Sequence, residues 1–531
     1  MPIATTPTIA LDGAVGHLVD VQVDVSPGQP GLTMVGRADV SLNEAPHRCR
    51  MAIHNTGLHW PSTKRLTILL SPSDLPKRGT HFDLAIALAV LKADGQLPAA
   101  DLGHTALVGE LTLSGGLRSV AGVLPMVLAA SHRGLRRVIV PEPQAHEAAL
   151  VPEMDVLGMR SLGQVVAELC GQPVPEAEPV APMSGRRLLS WRGQERLDEV
   201  DLVDVLGMEE ARFAVEVAAA GGHHLLLSGP KGCGKTTLAE RIPTILPDLT
   251  LAESLELTAL HSLAGALHEG DGLIRRPPFS APHHDASKAS ILGGGSGRVR
   301  PGEISRAHCG VLLLDEFPLL RTDVIDSLRQ PLESGEVTIA RGDESVVFPA
   351  RGMVVFAANP CPCGEYLADA RYNGCLCSER QRREYRQRVR GPITDRIDIT
   401  RHLEPLRPHD AHDHWSRPEP SAVVRERVAA ARERQAARYE QRGWRLNGQV
   451  PGPILSQEWP LPRAAQRLVD GRMYDGKLSR RGATRVHRLA WTLADLRGDT
   501  TPSVDHAETA LRLRSGEPLL AEVLRDHRTA S

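Results

Sequence analysis

The run Leu225 to Thr237, LLLSGPKGCGKTT, has the residue types and spacing to hold a chain of phosphates. Gly229, Pro230, Lys231, Gly232, Cys233, Gly234, Lys235 and Thr236 fit the pattern GxxxxGK[ST], and Thr237 follows. Glycines let the backbone curl until successive N–H groups point at phosphate oxygens, and a following helix adds its positive end. Lys235 would reach the β- and γ-phosphates of a nucleoside triphosphate, and Thr236 would hold Mg²⁺. Some eighty residues on, Gly310-Val311-Leu312-Leu313-Leu314 runs into Asp315-Glu316. Asp315 would hold the same Mg²⁺, and Glu316 would orient and polarise the attacking water. A third apolar run, Met353 to Ala358, ends at Asn359-Pro360, where an Asn also suits the turn before proline.

A different chemistry is suggested by Cys361, Cys363, Cys375 and Cys377, four of eight cysteines. Two pairs of thiolates suit a closed, tetrahedral, structural Zn²⁺, although C-x-C is tighter than the common C-x₂-C. The alternative is two pairs of incidental thiols. The arginines from Arg380 to Arg390 read first as a solvated helix face.

Such groups need rigid supports. The runs Leu225-Leu226-Leu227, Val311 to Leu314 and Met353 to Ala358 read as buried strands of a parallel sheet, and a helical pattern opens at Leu238-Ala239. At 531 residues the chain has room for about three or four domains. Its net charge of −2 gives no global basic field, so any DNA contact must be local, and 3% aromatics argue against a base-stacking platform. Apolar runs fall short of the ~20 residues that span a bilayer. Pro2-Ile3-Ala4-Thr5 lacks a basic or long apolar leader, which predicts a cytoplasmic protein without membrane partners.

Within the first part of the chain, PKRGTHFDLAIALAVL and GELTLSGGLRSVAGVLPMVLAA resemble the two active-site stretches of Lon-type protease domains. The family's catalytic Ser would fall at His81 and its Lys at Arg118, and arginine cannot serve as the base. The resemblance therefore implies a scaffold without proteolysis. The alternative is an α/β domain with a coincidental Gly-Gly-Leu turn.

The three strand-end motifs in their order resemble AAA+ ATPases, in which a residue placed like Asn359 (sensor 1) lies between the acids and the γ-phosphate. APHHDASKASILGGGSGRVRPGEISRAHCGVLLLDEF, ANPCPCG and RGPITDRIDIT resemble the magnesium-chelatase-like ATPases of the ComM/YifB type, and this likeness spans nearly the whole chain. It departs from the family pattern at Met208, Lys231 and Arg390, none of them a catalytic group. The resemblance implies ATP and Mg²⁺, a homohexamer, and an ATP-driven DNA helicase or branch-migration activity on single-stranded or branched DNA, during uptake and recombination. The alternative is a chelatase-type subunit driving metal insertion.

The implied organisation is α/β: a Lon-like domain at 1–170, a Pro-rich linker at 171–186, a P-loop core with a parallel sheet at 187–402, and a helical lid at 403–531. Ile291 to Gly302 and the hairpin-like Glu336 to Pro349 match insertions with which related helicases touch DNA, making Arg298, Arg300 and Arg341 candidate phosphate contacts, or else solvated loop charges. Arg396 lies where this clade carries an arginine finger that reaches a neighbour's γ-phosphate; an ion pair with Asp395 or Asp398 is the alternative. The resemblance places the lid's nucleotide-sensing arginine (sensor 2) at Arg481, with Arg480 and Arg485 close by.

Overall fold

The computed structural model of the chain describes residues 3–97, 102–181, 199–267, 270–295, 299–341, 344–366, 374–389, 393–405 and 418–529. At its centre five parallel strands stand in the order Phe279–Ser280, Val311–Leu314, Met353–Ala358, Leu225–Ser228, Ile399–His402. Both faces are covered, which is why these strands read as unbroken apolar runs. Leu225, Leu227, Val311, Leu313 and Val355 enter one core, while Leu226, Leu312, Leu314, Val354 and Phe356 enter another. The register aligns Ser228 with Ala358 on one side and His402 on the other. Parallel strands end on a common side, so the segments after Ser228, Leu314 and Ala358 open onto one edge, where ligands of such sheets bind.

The first part of the chain builds separate sheets. Ala4–Asp12, Val15–Ser26, Arg65–Ser71 and Gly31–Val35 form one in that order, and Thr105–Leu107, Arg137–Pro141 and Asp155–Met159 form a parallel three-stranded one. The helix Asp83–Ala93 is buried from Asp83 to Leu91, as its all-round apolar sequence demands. Residues 172–181 do not run free as their proline content suggests. Val180 is buried in this core, Gln164 Nε2 donates to the Pro175 carbonyl at 2.8 Å, and Arg160 Nη1 donates to that of Ala177 at 3.2 Å. An extended chain that cannot make its own ladder still offers carbonyls to neighbouring donors.

This part meets the central one at two apolar patches: Ala259 enters the core around Val123 and Val127, and a second patch lies at the first hairpin turn. Leu11 and Ala14 pack with Leu260, Leu263, Val299, Val346 and Phe348. Val346 and Phe348 belong to the hairpin Glu336–Arg341/Glu344–Pro349. Gly13, with φ +59°, lets the turn approach so closely that a Cβ there would stand 2.7 Å from Val346 and 2.9 Å from the Val347 carbonyl.

The C-terminal helices include Ser421–Arg438, Arg463–Tyr474, Arg480–Arg497 and Val504–Ser515. Val424, Val428 and Ala431 are buried on one face of the first, as their spacing requires. Arg480–Arg497 is capped by the Ser479 hydroxyl, which accepts from the Gly482 N–H at 3.1 Å. It is tied to the sheet through buried Asp398, whose carboxylate accepts from Arg485 Nη1 at 3.1 Å and from the His224 N–H at 2.9 Å. Burial alone would raise the Asp398 carboxyl, but Arg485 and the two histidines hold it well below the ordinary carboxylate range. His223 and His224 are both pushed down to about 4 by burial. His224 Nδ1 accepts from the Val354 N–H at 3.1 Å, a role open only to the neutral ring.

The consequence for stability has a definite sign. Between the ordinary histidine value near 6.5 and about 4, the unfolded chain takes up protons that the folded chain refuses. Stability is therefore present above that window and falls as pH drops through it. A melting midpoint clearly lower at pH 5 than at pH 7 is expected; equal midpoints would contradict the assignment.

Candidate active site

The phosphate loop is shaped by Gly234, whose φ of +82° starts the helix Lys235–Ile245. A Cβ on Gly234 would stand 2.7 Å from the Met208 methyl, so that residue packs directly over the loop. Lys235 is buried, and Nζ donates to the carbonyls of Gly229 and Pro230, each at 2.8 Å, and to Asn359 Oδ1 at 3.0 Å. Asn359 Nδ2 in turn donates to Glu316 Oε1 at 3.2 Å. Thr236 Oγ1 donates to Asp315 Oδ2 at 2.9 Å. Three strand ends thus deliver one connected set: Lys235 and Thr236 from the loop, Asp315 and Glu316 from the second run, and Asn359 from the third. Thr236 and Asp315 supply two hard oxygens side by side, the donor type that Mg²⁺ takes. Glu316 has φ 48° and ψ 37°, a left-handed conformation costly for a non-glycine residue, and it sits at the reacting end. Lys231 and Thr237 lie exposed at the loop's rim, and Cys233 is buried beneath it.

Sequence reasoning missed several neighbours. His284 Nδ1 lies 3.9 Å from Glu316 Oε2, placed there because Phe279–Ser280 is the strand beside Val311–Leu314. The His283-His284-Asp285 run after that strand was the available signal. Tyr385 is buried with its phenol at the Asn359 backbone, and burial pushes it up to about 12. Cys361, Cys363 and Cys375 converge, with Sγ–Sγ separations of 3.3 Å for Cys361–Cys363 and 3.6 Å from each of these to Cys375. Cys377 completes a group whose sulfurs all lie within 4.8 Å.

The arginines fall into two groups. Arg396 is buried, and Nη2 lies 3.0 Å from Glu333 Oε1. Arg481 Nη2 approaches the same oxygen at 4.0 Å. Arg485, by contrast, is buried on Asp398. Arg396 precedes the strand Ile399–His402 at its N-terminal end, whereas Ser228 leaves the adjacent strand at the C-terminal end. Those ends are about 13 Å apart along four residues. Arg481 is thus grouped with Arg396, and among the described residues no ion pair or hydrogen bond joins it to the phosphate loop. The reason is the Arg485–Asp398 pair, which docks this helix at the far edge of the sheet.

Of the candidate DNA contacts, Arg300 is exposed beside the short pairing of Gly293–Gly294 with Arg300–Pro301. Arg298 and the Arg341 side chain lie outside the described residues, as does Arg390. On the helix Glu379–Val389, Arg382 and Arg386 stack over Tyr366 at 4.5 and 5.2 Å, and Arg380 pairs with Glu384 at 2.8 Å. These are internal contacts of a surface helix.

In the first part of the chain His81 is buried, with Nε2 2.9 Å from the Ile9 carbonyl. Arg118 is exposed and faces Glu110 at 3.7 Å. Neither position supplies an activatable hydroxyl, and the Arg118 guanidinium does not shed its proton.

Residues 21–144, 201–411 and 418–514 match three families, described as subunit ChlI of Mg-chelatase, magnesium chelatase subunit ChlI, and the C-terminal part of that subunit. An uncharacterized protein of Mycobacterium tuberculosis (strain H37Rv) is 44% identical over 96% of this chain and 97% of its own. Uncharacterized protein YifB of Escherichia coli is 38% identical over 98% of both chains. Competence protein ComM of Haemophilus influenzae is 36% identical over 98% of this chain and 99% of its own. A shorter likeness, 24% identity over 29% of this chain, is to 20% of the Lon protease of Rhizobium meliloti.

Proposed function

The chain belongs to the magnesium-chelatase-like family of the ComM/YifB type, and from that premise we propose that it is an ATP-hydrolysing motor acting on single-stranded or branched DNA, with helicase or branch-migration activity, as a cytoplasmic homohexamer. The observation that carries the ATPase reading is the continuous set Lys235–Asn359–Glu316 beside Thr236–Asp315. Lys235 would exchange its carbonyl partners for phosphate oxygens, and the loop N–H groups from Gly229 to Thr237 would bind the rest of the chain. Bound Mg²⁺, held by Thr236 and Asp315, would supply charge neutralisation between the β- and γ-phosphates. Glu316 would orient water, with Asn359 fixing its carboxylate. Arg396, and Arg481 beside it, would serve the nucleotide held by a neighbour. The four thiolates would add a structural Zn²⁺ outside the reaction. Residues 1–170 would act as scaffold, 187–402 as motor and 403–531 as the lid that seats Arg481.

The DNA half of the reading is supported by the full-length likeness to a protein named for competence. Among the described residues no helix is long and apolar enough to cross a membrane. A second reading, a chelatase-type ATPase driving metal insertion, is favoured by the three ChlI matches. One assay separates the two: ATPase turnover alone and with single-stranded, duplex or four-way-junction DNA. Several-fold stimulation by branched or single-stranded DNA is expected, and a DNA-indifferent ATPase would favour the chelatase reading.

A further inference from the structure

We propose that Cys361, Cys363, Cys375 and Cys377 bind one zinc ion, and that this knot braces Asn359 and the phosphate loop in working register. Zinc at about 2.3 Å from each sulfur of a tetrahedron holds the sulfurs about 3.8 Å apart. The separations of 3.3, 3.6 and 3.6 Å lie close to that value, and the fourth sulfur falls within 4.8 Å of the others. Disulfides would instead draw sulfurs together in pairs at about 2.05 Å. Among the described residues of this segment Cys361 is buried but belongs to none of the apolar clusters, while Leu376, between two of the thiols, is 97% exposed. A metal cross-link is the means by which small elements with little apolar core are folded.

The knot is wired to the reaction site at both of its ends. Cys361 lies two residues after Asn359. The Gly364 N–H donates to the Cys361 carbonyl at 3.0 Å, and the Gly364 carbonyl accepts from the Lys231 N–H of the phosphate loop at 3.1 Å. Gly364 has φ +80°, and a Cβ there would stand 3.2 Å from Lys231 Cβ and 3.6 Å from the Asn359 amide carbon. Beyond Cys377 the helix Glu379–Val389 returns Tyr385 to the Asn359 backbone. Fixing the four sulfurs therefore fixes the turn that spaces Lys231 from Asn359. The ion binds no substrate, since four thiolates leave no open position.

The zinc site stands on its own geometry; its bracing role rests on the ATPase reading above. The test measures zinc content, affinity for a fluorescent ATP analogue and ATPase turnover of the full chain. Wild type, the double variant Cys375→Ser/Cys377→Ser, and Gly364→Ala, which keeps all four thiols, are compared. Expected are one zinc per chain in wild type and Gly364→Ala, and less than a tenth of that in the double variant. Affinity for the analogue should fall at least several-fold in both variants, with turnover falling in parallel. Wild-type protein purified without zinc, and unable to take it up stoichiometrically, would overturn the site. Zinc-loaded Gly364→Ala with wild-type affinity and turnover would overturn the brace, even where the double variant fails to fold. Zinc-loaded wild type that binds the analogue without hydrolysing it would defeat the motor reading instead, and the affinities would still decide the brace.

Discussion

Glu316→Gln is expected to bind ATP and keep it, with turnover lowered by about 10²- to 10⁴-fold, the range removed with a general base. The substitution preserves size and one oxygen, so Asn359 Nδ2, now 3.2 Å from Glu316 Oε1, can keep an acceptor. Asp315 and Thr236 are left untouched, so the groups assigned to Mg²⁺ survive. What is lost is the negative charge that polarises water. The strained backbone at Glu316, φ 48°, shows that the fold holds this carboxylate in place against a local cost. The measurement is single-turnover hydrolysis alongside equilibrium nucleotide binding. Wild-type turnover would remove Glu316 from the reaction, and loss of binding would mean that it acts in the ground state.

Arg396→Ala should cost at least as much, about 10³- to 10⁵-fold if it acts as an arginine finger. The loss should come with ATP affinity nearly unchanged, because Arg396 stands at the opposite end of the strands from its own phosphate loop. A mixing experiment makes the claim specific. Lys235→Ala lacks a working loop but keeps its arginine, while Arg396→Ala keeps its loop. Each alone should be inactive, and mixed rings should recover activity at interfaces that pair an intact loop with an intact arginine. If the mixture stays as inactive as its parts, Arg396 is a structural partner of Glu333 and nothing more. Disassembly of the Arg396→Ala ring, read by sedimentation, would point the same way.

The convergence of the candidate residues was legible in the sequence because each lies just after an apolar run. Leu225-Leu226-Leu227, Val311 to Leu314 and Met353 to Ala358 announce buried strands, and parallel strands must bring their ends together. The α/β class and the hairpin at Glu336 to Pro349 were readable for the same reason, from periodicity and turn residues. What sequence spacing does not encode is which element lies beside which. His284 reaches Glu316 only through strand pairing, and Glu333 gathers Arg396 and Arg481 across three segments of chain. The amphipathic pattern of Arg480–Arg497 announced a packed helix but not the end of the sheet on which it docks. That choice was made by Arg485 and Asp398, two charges whose pairing becomes visible only when both are buried. The proline-rich stretch after residue 171 shows the same limit of composition. Composition reports its missing apolar side chains, while its carbonyls, invisible to composition, are what pin it.

The seam at Gly13 has a mechanical meaning. The turn after Ala4–Asp12 rests on Val346 and the Val347 carbonyl, on the hairpin whose tip would meet DNA. A hairpin that strokes with each nucleotide must either carry the first sheet along as a passenger or slide beneath it. A glycine turn offers a smooth bearing, with no side chain to interlock, but Leu11 and Ala14 act as a friction plate on Phe348 and Leu263. On the proposed motor reading, the first sheet would act as a damper on the stroke and limit how far the hairpin travels.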